Sequence, residues 1–166
     1  MTASEKGEQP RLLVLYYSRS GNTESMATAV AAGAAETGAS IDLVKVEEAN
    51  VVQLLDYDGI LIGSPTYYGQ AAGELKEFFD QSVRFHGKLT GKVGGAFSSC
   101  EASGGGVETT ILSLIHVLLV HGMIIQGQAE GGHHYGVAST GAPDEDTLEQ
   151  CRLLGKRTAL LAARLI

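Results

Sequence analysis

The fold class this sequence predicts is an open α/β sheet of parallel strands with helices on both faces. Three observations predict it. Short apolar runs rich in Val, Ile and Leu recur along the chain, each strand-like run ends in a turn or loop, and most of these lead into segments with apolar residues at helical spacing. Strands buried on both faces read as continuous apolar runs, and parallel pairing needs helical crossovers, which are right-handed. The pattern gives five strands and five helices, and 166 residues suit one domain.

Residues 1–10 read as a polar, flexible arm without the basic start and apolar stretch of a secretory signal, and residues 11–166 as the domain. Residues 11–17 (RLLVLYY) form the first strand, which ends at the polar SRSGNT of residues 18–23. Met26, Ala27, Val30, Ala31 and Ala34 then make one helical stripe, with Asn22 or Thr23 as the cap and Gly38 as the stop. Residues 40–46 (SIDLVKV) read as a strand, 50–55 as a short helix and 59–63 (GILIG) as a central strand buried on both faces. Leu75, Phe78 and Phe79 mark a helix over 74–83, and 92–98 (KVGGAFS) a glycine-rich strand before a loop reaching Gly106. The next helix starts near Val107, with Val107, Ile111, Leu114, Ile115 and Leu118 inward. Leu112, Val117, Leu119 and Val120 make its other side apolar too, so part of it is expected to meet another subunit in a homodimer or homotetramer. The last strand, 123–126, is expected to be split by residues 127–136 and to resume at Val137. A final helix over 144–165 turns Leu148, Cys151, Leu154 and Leu161 inward.

Composition excludes several classes of function. Twelve basic against nineteen acidic residues give a net charge of −7, so nucleic acid and anionic membrane surfaces face net repulsion. Hydrophobic residues make up 44% of the chain, enough for a sizeable core, yet no apolar run approaches the roughly 20 residues of a membrane span. The two cysteines, Cys100 and Cys151, lack metal spacing and fit a reduced compartment, so the expected location is the cytoplasm.

In such a sheet a ligand binds outside the carboxyl ends of the strands, where strand order reverses. Three loops should converge there. The first offers Ser18, Arg19, Ser20, Gly21, Asn22 and Thr23 at a helix N-terminus, whose free N–H groups and positive dipole end can cradle a phosphate. It matches neither the Walker pattern nor the dinucleotide GxGxxG turn. The second, SPTYYG of residues 64–69, supplies Pro65, Thr66, Tyr67, Tyr68 and Gly69, with two rings able to stack on a flat heterocycle. The third runs through Ser99, Cys100, Glu101, Ala102, Ser103, Gly104 and Gly105, with backbone donors and hydroxyls but no ring.

At these loops the sequence resembles the flavodoxin-like fold. Together with DYDGILIGSPTYYG, LKEFFDQS, GKVGGAFSSCEASGGGVETTI, HGM and HYG, it resembles the flavodoxin-like NAD(P)H:quinone oxidoreductases of the WrbA type over residues 11–166. The resemblance implies a three-layer sandwich with strand order 2-1-3-4-5 and FMN as cofactor. Ser18, Ser20, Gly21, Asn22 and Thr23 would hold its phosphate, Pro65 to Gly69 would flank the isoalloxazine, and Ser99 to Gly105 would follow the ribityl chain and pyrimidine edge. His121 in VHGM matches a family histidine at the flavin site, and with Tyr68 it is the candidate catalytic side chain. This chain departs from the family at Ser20 and Asn22, where an aromatic and a histidine are usual. It has a shortened segment between Val46 and Asp58, and it lacks tryptophan, for which Phe85 or His86 could substitute.

The other candidates have plainer explanations. His116 and His121 lie about 140° apart around a helix and His133 and His134 are adjacent, so no zinc pair forms and no metal is expected. Cys100 has no orienting partner that would make it a nucleophile. Asp144, Glu145 and Asp146 suit a helix N-terminus. Two functions remain. One is an enzyme in which FMN takes a hydride from NADH or NADPH and passes electrons to a quinone in a ping-pong cycle. The other is a flavodoxin-type carrier exchanging single electrons with a protein partner, which the charge of −7 could steer.

Overall fold

A computed structural model describes residues 9–166, so all of the expected arm except Gln9 and Pro10 lies outside the described residues. Strands β1 (Arg11–Tyr16), β2 (Ser40–Lys45), β3 (Gly59–Pro65), β4 (Val93–Cys100), β5 (Ile124–Ile125) and β6 (Val137–Thr140) pair in parallel in the order β2-β1-β3-β4-β5, and β6 also pairs with β4. The expected fifth strand is thus split, β5 and β6 lying in succession along β4. Helices α1 (Asn22–Ala35), α2 (Gly73–Gln81), α3 (Val107–Val120) and α4 (Glu145–Leu165) connect them. The short helix expected at 50–55 is a 3-10 segment, Val51–Asp56, capped by Asn50, whose side chain accepts from the Val52 N–H at 3.0 Å.

The alternation of side chains along β1 sorts the core into two layers. Leu13 and Leu15 face α2, α3 and the 3-10 segments, where they meet Leu75, Phe79, Ile111 and Leu114. Leu12, Val14 and Tyr16 face α1 and α4, among Met26, Val30, Cys151 and Leu154. The stripes of α1, α3 and α4 read from spacing are the buried faces, while Leu119 and Val120 stand exposed on α3. Asp144 caps α4 by accepting from the Thr147 N–H at 2.8 Å.

Two buried phenols tie strand ends to carboxylates. Tyr16 donates to Glu24 at 2.9 Å, and Tyr57 donates to Asp42 at 2.7 Å. Burial and then the neighbouring carboxylate push each pKa from 10.0 up to about 12. Above pH 10 the unfolded chain loses protons that the folded chain keeps, so stability falls as pH rises from about 10 to about 12. Denaturant midpoints measured across that range are expected to drop. The drop should be shallower in Tyr57→Phe, and an equal slope in the variant would contradict the assignment.

Candidate active site

Three ladder bonds continue past the strands and gather their carboxyl ends. The Tyr17 N–H donates to Gly63 O at 3.1 Å, the Thr66 N–H to Ser99 O at 2.7 Å and the Gly141 N–H to Cys100 O at 2.7 Å. At these ends lies a cavity of about 430 Å³ lined by Arg19, Ser20, Asn22, Thr23, Pro65, Thr66, Tyr67, Ser99, Cys100, Glu101 and Gly141. It sits where β1 and β3 are neighbours but α1 and α2 cover opposite faces, which is the switch point of the sheet.

The first loop is a turn that ends in a helix. Gly21, with φ +95°, occupies the cap position, and a Cβ there would meet nothing within 4 Å, so the left-handed backbone and not lack of space calls for glycine. This corrects the expected cap, because Asn22 and Thr23 lie inside the first turn. Gly21 itself brings no side chain to cap α1. Ser18 Oγ accepts from the Gly21 and Glu24 N–H groups at 3.2 Å each and holds the turn in shape. First-turn amides have no helical carbonyl behind them, and with the dipole they favour an anion. Thr23 is buried and its Oγ1 lies 2.9 Å from Ser99 Oγ, which fixes the first loop against the third. Arg19 and Ser20 stand exposed at the rim. This donor set suits a phosphate dianion and could hold that of FMN.

The second loop supplies one wall. Tyr67 and Gln70 exchange N–H donations at 2.9 and 3.0 Å across a tight turn, whose centre, Tyr68 at φ +52° and Gly69 at φ +72°, is left-handed. Tyr67 faces the cavity. Tyr68 is fully exposed at the turn tip and does not line it. Tyr17 packs edge-on against Tyr67, with centroids 6.4 Å apart and planes at 76°. The Glu74 carboxylate beside the Tyr17 hydroxyl raises its pKa. Thr109 Oγ1 donates to Gly69 O at 2.7 Å, so the turn is also tied to the start of α3.

The third loop is shorter than the spacing suggested, because β4 continues through Ser99 and Cys100. Glu101 lines the cavity, whereas Ala102, Ser103, Gly104 and Gly105 form an exposed turn closed by the Gly105 N–H donating to Ala102 O at 3.0 Å. Cys100 Sγ donates to Ala102 O at 3.2 Å.

His121 does not join this cavity within the chain. It caps the far end of α3, whose fourteen residues separate it from the loop by about 20 Å of helix. Its ring is buried against α2, with Nε2 2.7 Å from Ser82 Oγ. Ser82 Oγ donates to Phe79 O at 2.6 Å, so Nε2 carries the proton, and Nδ1 is buried without a partner. Burial, and then the nearby His86, holds the imidazole pKa below its usual value. Phe85 and His86 lie at this same end and cannot stand in for a tryptophan beside the cavity of this chain. The spacing reading missed Gly141, Tyr17 and Thr109. Gly141 follows a parallel strand, and the rule that ligands sit at strand ends points to it; Tyr17 and Thr109 carry no sequence signal of their own.

A family model for the flavodoxin domain matches residues 13–102. A protein of Archaeoglobus fulgidus named NAD(P)H dehydrogenase (quinone) is 38% identical over 93% of this chain and 98% of its own length. The chain belongs to the WrbA-type flavodoxin-like NAD(P)H:quinone oxidoreductase family. A second relative of the same name, from Sinorhizobium fredii, shares 38% identity over 93% of this chain and 98% of its own. The crystal structure of the flavodoxin, WrbA-like protein from Agrobacterium tumefaciens superposes with a TM-score of 0.80 at 28% identity, over 95% of this chain and 99% of that one. The first alignment runs to 188 positions, more than the 166 residues of this family member, so the Archaeoglobus relative carries inserted residues that this chain lacks. Among the described residues no helix is long and apolar enough to cross a membrane.

Proposed function

We propose that this protein is an FMN-dependent oxidoreductase that passes electrons from NADH or NADPH to a quinone by a ping-pong cycle. The observation that carries this reading is the cavity at the switch point, which joins the N-terminal turn of α1 to an aromatic wall. The naming of 38%-identical relatives as NAD(P)H dehydrogenase (quinone) supports the same reading. When bound, FMN supplies the relay, taking a hydride from NAD(P)H and giving two electrons to the quinone, which gains two protons and leaves as hydroquinone.

The chain's own residues bind and orient. The first turn of α1 and the hydroxyls of Ser20 and Thr23 would hold the phosphate, with Ser18 shaping the turn beneath it, and Thr66, Ser99 and Glu101 would border the rest of the cofactor. Tyr67 forms one wall, kept in place by Tyr17 behind it and by the bonded turn to Gln70. The exposed turn over 102–105 contributes no ring, so it would leave room for nicotinamide and quinone to reach the cofactor in succession. Tyr68, exposed at the tip of the Tyr67–Gln70 turn, would meet an incoming substrate.

The test is a visible spectrum of protein mixed with FMN and desalted, followed by anaerobic NADH or NADPH. The expected result is retained yellow colour that bleaches within seconds and returns when a quinone is added. Retained colour that does not bleach would favour the carrier, and loss of all FMN would remove both readings.

A further inference from the structure

Two charged side chains line the cavity at the strand ends, Arg19 and Glu101. Arg19 belongs to the loop that offers the phosphate cradle. Glu101 belongs to the loop after β4, and the strand register fixes its level. Pro65 on β3 pairs with Ser99 on β4, and the ladder runs one step further through the Thr66 N–H, which donates to Ser99 O at 2.7 Å. Tyr67 and Glu101 each follow that pair by two residues, on neighbouring chains that the sheet holds about 4.8 Å apart. The aromatic wall and the carboxylate therefore flank the cavity at one height. Glu101 is exposed, and among the described residues no ion pair engages it.

Given the oxidoreductase reading, on which this rests, we propose that Glu101 sets the electron affinity of the cofactor, lowering the potential at which bound FMN is reduced. The cause is electrostatic. The ring of oxidised FMN is uncharged, and above neutral pH two electrons and one proton turn it into an anion. A ring resting on Tyr67 lies within about 10 Å of Glu101, and two like unit charges at that separation shift an equilibrium about tenfold at an effective dielectric constant near 20 once salt screening is allowed for. The phosphate carries the same charge in both oxidation states and cancels from the difference. For a two-electron couple a tenfold penalty is about 30 mV. Its direction suits the second half of the cycle. Reduced FMN becomes the stronger donor as it gives two electrons and one proton to the quinone, which takes its second proton from solvent, and the ring returns to the uncharged form that Glu101 tolerates.

The experiment reads the two-electron midpoint of the FMN-loaded full chain at pH 8, by anaerobic equilibration with a reference dye. Glu101→Gln is expected to raise the midpoint by about 30 mV, a tenfold change, and Glu101→Lys by about 60 mV, a hundredfold change. Glu101→Asp keeps the charge and should stay near wild type. Glu36→Gln is the control for net charge. Glu36 follows the last residue of α1, whose fourteen residues place it about 20 Å from the cradle, beyond the roughly 8 Å over which physiological salt screens, so its midpoint should not move. In 1 M salt the screening length falls to about 3 Å, and the shift in Glu101→Gln should shrink.

Equal midpoints in wild type, Glu101→Gln and Glu101→Lys overturn the inference and leave the oxidoreductase reading standing. An equal shift in Glu36→Gln, or a shift in Glu101→Gln undiminished by 1 M salt, overturns it in the same way. Loss of FMN from Glu101→Gln also overturns it, because Glu101 then binds the cofactor instead of tuning it. Failure of the wild-type chain to retain FMN overturns both readings.

Discussion

Thr23→Asp is expected to weaken FMN binding by about three orders of magnitude. Thr23 is 1% exposed, in the first turn of α1, with its hydroxyl 2.9 Å from Ser99 Oγ. A carboxylate there stands within the phosphate cradle. Two unit charges about 4 Å apart repel by about 4 kcal/mol at an effective dielectric constant near 20, which is a factor of about a thousand in Kd. The same substitution tests where the phosphate sits, because riboflavin has no phosphate to repel. Quenching titrations should therefore show FMN affinity collapsing while riboflavin affinity changes little. Thr23→Val is the neutral control: it keeps the shape, loses one hydroxyl pair worth about 1 kcal/mol, and should cost FMN roughly fivefold. Equal losses for FMN and riboflavin in Thr23→Asp would mean a distorted turn and not charge repulsion, and unchanged FMN affinity would move the phosphate elsewhere.

The site was legible in the sequence wherever it depends on strand ends. Residues 12–17 and 59–63 are apolar without interruption, which identifies central parallel strands, and the loops after such strands must meet. Ser18, Thr23, Thr66, Tyr67 and Ser99 accordingly lie around one cavity or hold its walls. The reading failed where a side chain's destination depends on helix length and packing. His121 follows α3 in sequence as closely as Gly106 precedes it, but a helix carries its two ends to opposite poles of the sheet, and its partner Ser82 is 39 positions away. The cap of α1 was misplaced for a different reason. Asparagine is a better cap residue than glycine in general and threonine about an equal one, yet the left-handed turn that lets Ser18 take two N–H groups admits glycine at 21. The loop after β4 was read two residues too long because Ser and Cys are poor markers of a strand, and only pairing with β3 and β6 keeps Ser99 and Cys100 extended.

Gly155→Ala is expected to destabilise the fold by at least about 3 kcal/mol and to lower the melting temperature by about 10 °C. Glycine inside a helix costs about 1 kcal/mol relative to alanine, so Gly155 in α4 and Gly33 in α1 would look like positions to improve. Their contacts say the opposite. A Cβ on Gly155 would lie 1.9 Å from Val30 O and 3.0 Å from Ala34 N, and one on Gly33 would lie 2.0 Å from Arg152 O. These are backbone atoms, so no rotamer change relieves the overlap, and the two helices must separate. Separation opens the layer in which Met26, Val30, Ala34, Cys151 and Leu154 are buried. Gly73→Ala is the matching control, at the start of α2 with nothing within 4 Å of the added carbon, and it should be neutral or slightly stabilising. The strain also reaches the candidate site, because α1 carries the proposed phosphate cradle at its other end. If α1 yields to the added methyl, FMN affinity falls together with stability; if α4 yields, stability falls alone. Measuring both in Gly155→Ala shows which helix the sheet holds more firmly, and a melting temperature within a degree or two of wild type would show that neither contact is as close as the structure has it.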